Sequence, residues 1–210
     1  MKNTIGLAVA LMSLIASSLV VAVPAQARVC ALGPEARCPG ANLRGQVLEG
    51  IDLSGADLRG ADLRNVNASN SNLTLAVLKR ANLRGANLRG GNLGGASIQG
   101  ANLIGVDARE AQLVDATLTG ANLAGADLRG ADFSNAYLDG STLGKARLDG
   151  AEFFGAYLAR TKFSGANLTD VDLSGIQSNA SDRPRLLREL RKALLCRTVL
   201  PTGQVSNRDC

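Results

Sequence analysis

The sequence predicts an all-β solenoid, a chain wound into stacked coils of short extended steps, with a short C-terminal α-helical cap. Three observations carry that expectation. From Ala41 to Gly175 the chain divides into 27 consecutive five-residue units without an insertion or deletion. The third position of the unit is large and apolar in 25 of them, the first is Ala in 18 and the fifth is Gly in 17. Aromatic residues make up only 3 % of the chain and Trp is absent, which suits a narrow Ala and Leu interior better than an ordinary globular core.

At the N-terminus, MKNTIGLAVALMSLIASSLVVAVPAQA has one charge, Lys2, then an apolar run, then Ala25-Gln26-Ala27. That order predicts a cleaved signal peptide over residues 1–27 and an exported chain from residue 28, of net charge about +4. A membrane anchor is the rival reading, disfavoured by Pro24 and the small-residue exit. Residues 28–40 are expected to form a small N-terminal cap. Cys30 and Cys38 precede the repeats, and Cys196 and Cys210 follow them. Four cysteines allow three pairings, and an oxidising address favours the two local ones, Cys30–Cys38 and Cys196–Cys210. A zinc site fits poorly, because the spacings are wide and the chain has no His.

A period of five is neither the 3.6 of a helix nor the 2.0 of a strand. Within one unit, however, positions one and three are two apart, so both face one side of an extended step. The fifth position then suits a corner that needs positive φ. Ala68 and Ala108 replace the usual Leu, and both units begin with Val, at Val66 and Val106. Small and large have changed places, which conserves interior volume if both positions face inward.

The pattern A(N/D)LxG resembles that of the pentapeptide repeat family. The resemblance implies a right-handed quadrilateral β-helix (pentapeptide repeat solenoid) of 20 residues per coil over residues 41–175. At about 4.8 Å per coil this is a rod of roughly 32 Å. Residues 176–210 are expected to form a helical cap and tail. SDRPRLLRELRKALLC reads as an amphipathic helix, with Ser181 or Asp182 at its start and Leu187, Leu190 and Leu194 as its apolar stripe. The tail CRTVLPTGQVSNRDC resembles ends seen on exported members of the family.

Composition also limits the chemistry. Without His the usual general base and the Ser-His-Asp arrangement are excluded. GANLRGG lacks the GxxxxGK[ST] order of a phosphate loop. Asp57, Asp62, Asp127 and Asp132 are expected on exposed faces, with no cleft to tune them. No catalytic residue, cofactor or metal is therefore expected.

The surface carries the candidates. Arg44, Arg64 and Arg84 are spaced by 20 residues, as are Arg89, Arg109 and Arg129. Each trio is expected to stack as a ladder that docks an acidic partner, or else to pair with the Asp residues nearby. Tyr137 and Tyr157 are also 20 apart. With the outward Phe154, and with Lys145, Arg147, Arg160 and Lys162 nearby, they form a second candidate patch.

The reading that follows is a non-enzymatic, exported scaffold whose partner is another protein. A membrane surface is a less supported partner, and nucleic acid is not expected. By resemblance the address is periplasm or thylakoid lumen. The alternative is a DNA-mimicking binder of type II topoisomerase, as in the quinolone-resistance members. The export signal and the positive charge disfavour it.

Overall fold

The computed structural model describes residues 30–210, so the signal-peptide expectation for residues 1–27 lies outside the described residues. Each five-residue unit but one contributes a parallel β-bridge to the unit 20 residues on, from Arg37↔Asp57 to Tyr157↔Gln177, the exception being Glu152, which does not bridge to Asp172. Four units therefore complete one turn, and every residue stacks on its equivalent in the next coil. We label the four faces by their first units: face I from 41, face II from 46, face III from 51 and face IV from 36.

The backbone explains most of the repeat. The second N–H of a unit donates to the previous coil and the third to the next, as in Asp62 N–H to Ala41 O (2.9 Å) and Leu43 N–H to Asp62 O (2.8 Å). The next unit's first N–H folds back on the third carbonyl, as in Gln46 to Leu43 O (3.1 Å), and closes a turn. The corner falls on the fifth residue, which has positive φ whether it is Gly45 (67°) or Leu75 (59°). One donor is left over, the fourth N–H, and a side chain takes it. Asn or Asp at the second position accepts it through Oδ1, for example Arg44 N–H to Asn42 and Ser134 N–H to Asp132. That local turn bond is the physical reason for the Asn and Asp enrichment.

The interior is a column of Leu, Ala and Phe. Val66, Ala68, Val106 and Ala108 are all buried, so both the swapped and the regular positions face inward. Phe133 and Phe153 stack with ring centroids 5.1 Å apart. Ser141 occupies a first position usually held by Ala, and its buried hydroxyl has no partner. Ser141→Ala is expected to raise stability by about 1 kcal/mol, read as a higher denaturation midpoint.

The structure moves three boundaries. Pairing begins inside 28–40, because Arg37 bridges to Asp57 and Cys38 takes the buried third position of its unit. The C-terminal helix α1 is Arg183–Leu190, shorter than the sequence suggests. It buries Leu186 and Leu190, and Leu194 lies beyond it as an exposed residue rather than on an apolar stripe. Asp182 stands at the helix start without a side-chain cap, and Asn179 accepts its N–H instead (2.8 Å).

After α1 the chain rejoins the coil. Leu194 pairs with Asn167 and Val199 with Asp172, so the stacking offset is 27 residues instead of 20. ALLCR and TVLPT thus act as two further units, with Ala193, Leu195 and Thr198 buried and Arg197 at a corner (φ 51°). Two strands, β1 (Thr198–Val199) and β2 (Val205–Ser206), then pair antiparallel, which turns the chain back along the last coil. Arg208 reaches the carbonyls of Arg191 and Ala193.

Cys30 pairs with Cys38 and Cys196 with Cys210, with Cα atoms 5.6 and 4.8 Å apart. The second bond spans 14 residues, so reducing it is expected to cost about 3 kcal/mol. Hydrogen exchange should then speed up over residues 192–210 and stay unchanged over residues 76–135. Equal protection in both regions after reduction would contradict that.

Candidate interaction surface

The two Arg ladders stand on adjacent faces as the spacing requires, but the residues within each differ. Where the unit reads DLR or DAR, the guanidinium folds back on its own Asp. Arg64 donates to Asp62 at 2.7 and 2.5 Å, Arg109 to Asp107 at 2.8 and 2.6 Å, and Arg129 to Asp127 at 2.8 and 2.7 Å. Arg59 and Asp57 on face IV repeat the arrangement. Where the unit reads NLR, no carboxylate stands two residues back. Arg44 and Arg84 have no acidic partner among the described residues, and Arg89 reaches Glu110 at 3.2 Å. The face I ladder therefore alternates between free and neutralised cations, while every Arg of the face II ladder has an acidic partner.

These forks lower the carboxylate pKa values. The Arg64 guanidinium holds Asp62 at about 2, against an ordinary 3.8. Asp57, Asp107 and Asp127 are lowered for the same reason, through Arg59, Arg109 and Arg129. A depressed carboxylate stabilises the fold above its unfolded pKa, and that contribution disappears as pH falls through the folded value. The denaturation temperature is therefore expected to drop between about pH 4 and pH 2. Arg64→Gln should move the Asp62 carboxyl titration, followed by NMR, back toward 3.8. An unmoved titration would rule the fork out as its cause.

Tyr137 and Tyr157 stack on face IV with centroids 4.6 Å apart and planes 8° from parallel. They are 43 % and 38 % exposed. Of the four cations expected beside them, only Arg160 belongs to a unit of that face. Lys145 and Lys162 are on face I, and Arg147 is on face II, 3.6 Å from Asp127. Phe154 is 73 % exposed on face III, a different side from the tyrosines. The sequence reading joined these aromatics into one patch, and the coil separates them.

Face III was missed altogether. Its units, from 51–55 to 171–175, hold Asp52, Asp115, Asp132, Glu152 and Asp172, and not one Lys or Arg. Face I, directly across the coil, holds Arg44, Arg64, Arg84, Lys145 and Lys162 against Asp62 alone. The net charge of +5 therefore conceals a rod polarised across its width. The signal was present in the sequence, once read in steps of 20.

Stacked parallel units with a filled interior and outward polar columns define a β-solenoid repeat protein. The Pentapeptide repeats family model matches eight copies between residues 36 and 175, and the chain belongs to that family. A pentapeptide repeat protein from the Arabidopsis thaliana thylakoid lumen is 34 % identical, over 70 % of this chain and 77 % of that one (TM-score 0.24). HetL, from the cyanobacterium Nostoc sp. strain PCC 7120, is 24 % identical over 81 % and 91 % (TM-score 0.25). Trypsin-treated QnrB1, a plasmid-mediated fluoroquinolone resistance protein, is 21 % identical over 76 % and 95 % (TM-score 0.40). No curated protein matches the chain.

Proposed function

We propose that this protein is a non-enzymatic, exported scaffold that presents a rigid solenoid surface to another protein. The observation that carries the reading is the filled core beneath fixed outward columns, where side chains 20 residues apart are held in register by backbone bonds. Such a surface is preorganised, so a partner bears little of the usual ordering cost. The solenoid is read as a right-handed quadrilateral β-helix over residues 41–175. Residues 28–40 are read as its N-terminal cap, with 36–40 already paired into the coil, and α1 with the tail of 176–210 as its C-terminal cap. Residues 1–27 are read as the signal, and periplasm or thylakoid lumen as the address. The two paired cysteine couples and the lumenal relative support that address.

The candidate contact residues are the free cations Arg44 and Arg84, Arg89 with its Glu110 partner, and the Tyr137–Tyr157 stack. The test is photo-cross-linking from position 137 or 84 in exported extract, followed by peptide identification. One dominant cross-linked protein is expected, its yield reduced from position 137 by Tyr157→Ala or from position 84 by Arg44→Gln. Cross-links scattered over many proteins would overturn the reading. The topoisomerase alternative gains the acidic face III and is opposed by the basic tail. Gyrase supercoiling that stays normal with excess protein closes it.

A further inference from the structure

Two blocks of charge on this chain have no partner among the described residues. The first is the C-terminal part of face III. Asp132 and Glu152 pair backbone to backbone, Asp172 follows 20 residues on, and Asp115 stands at the adjoining corner. Among the described residues none of these carboxylates lies within 4.0 Å of a Lys or Arg nitrogen, unlike the forked aspartates of the other faces. Phe154 rises among them. Its ring lies across Gly175, where an added Cβ would come within 2.8 Å of the ring, so one side is held and the other is bare.

The second block is the outer side of α1. Leu186 and Leu190 face the core, which puts Arg188 at the outermost point with Arg185 and Arg191 to either side. All three are exposed, and none has an acidic partner among the described residues. The strip Arg185, Arg188 and Arg191 is therefore opposite in sign to the acidic end of face III, Asp132, Glu152 and Asp172.

We propose that the acidic end of face III is the docking surface for the basic helix α1 of a second copy of this chain. Guanidinium groups pair with the carboxylate column, and one stacks on the bare side of Phe154, an arrangement Arg favours over Lys. Both halves of the contact are on the same molecule, which is why the occupant is a second copy. The inference is independent of the scaffold reading, which concerns a different protein and other faces.

Sedimentation velocity of the protein at about 0.01 M and about 0.15 M salt tests it. Self-association is expected at the lower salt and should weaken about ten-fold or more at the higher. Glu152→Gln with Asp172→Asn, Arg185→Gln with Arg188→Gln, or Phe154→Ala alone should each weaken it at the lower salt. Lys79→Gln, on face IV, should not. All these positions are exposed, so an unchanged thermal midpoint verifies the fold of each variant. The decisive arm is a reversal. One copy carries Glu152→Arg and Asp172→Arg, the other Arg185→Glu and Arg188→Glu. Neither should self-associate, and their equimolar mixture should. A monomer at every concentration at the lower salt would overturn the proposal. So would a mixture that stays monomeric, or association that survives the helix substitutions and so uses another occupant of face III.

Discussion

Phe153→Ala is expected to lower stability by about 3–5 kcal/mol, while Phe154→Ala beside it shifts stability by less than about 0.5 kcal/mol. The two residues are neighbours in sequence and opposites in the coil. Phe153 is 1 % exposed and stacks on Phe133 in the interior, and its removal leaves a cavity that the rigid backbone bonds above and below cannot close. Phe154 is on face III, largely exposed, with its ring beside Gly175. Denaturant titration of both variants measures the difference. Because a repeat array can unfold in parts, hydrogen exchange should place the Phe153→Ala loss in residues 131–175, with residues 41–95 little affected. Equal losses for both variants would mean that the inward and outward positions are wrongly assigned.

Gly155→Ala is expected to cost about 2–4 kcal/mol, well beyond the usual effect of adding one methyl group. Gly155 sits at φ 71°, and a Cβ there would come 2.1 Å from Oδ1 of Asn135, the residue below it at the same corner. Two costs therefore add, the left-handed backbone and the collision. They can be separated. Gly105→Ala has the backbone term alone, because φ is 64° and nothing lies within 4 Å, and it should cost about 1 kcal/mol. Asn135→Gly combined with Gly155→Ala should fall to a similar value, with a coupling of about 1 kcal/mol or more in the double-mutant cycle. A cycle without coupling would remove Asn135 as the cause.

The solenoid was legible in the sequence because its determinants are carried by side chains at fixed positions. Leu at the third place, Ala at the first and Gly at the fifth fix which way the chain faces and where it turns. Even the exceptions could be read, as Val66 with Ala68 shows. The end of the fold was harder. ALLCR and TVLPT follow α1 out of phase, and neither carries the second-position Asn or Asp or the fifth-position Gly that mark the other units. Only their packing identifies them. At the surface, the Arg spacing was visible, but the forks to Asp62, Asp107 and Asp127 depend on side-chain conformations that spacing does not fix. Face III escaped notice because its acids are scattered through the chain and gather only when every fourth unit is read together.

The 27-residue offset at α1 shows that the coil can be left and rejoined, provided that the chain returns on the right face. A rule for insertions and deletions follows. Removing residues 101–120 takes out one whole coil and leaves all later columns above their former neighbours. Removing residues 101–105 keeps the inward pattern intact but rotates everything downstream by a quarter turn. Glu152 and Asp172 would then stand above Asn67 and Asn87 instead of Asn72 and Asn92. The core would hardly register the change, yet the two halves of the rod would present a new combination of charges. Surface patterns in this architecture can therefore be recombined in discrete angular steps, without redesigning the interior that supports them.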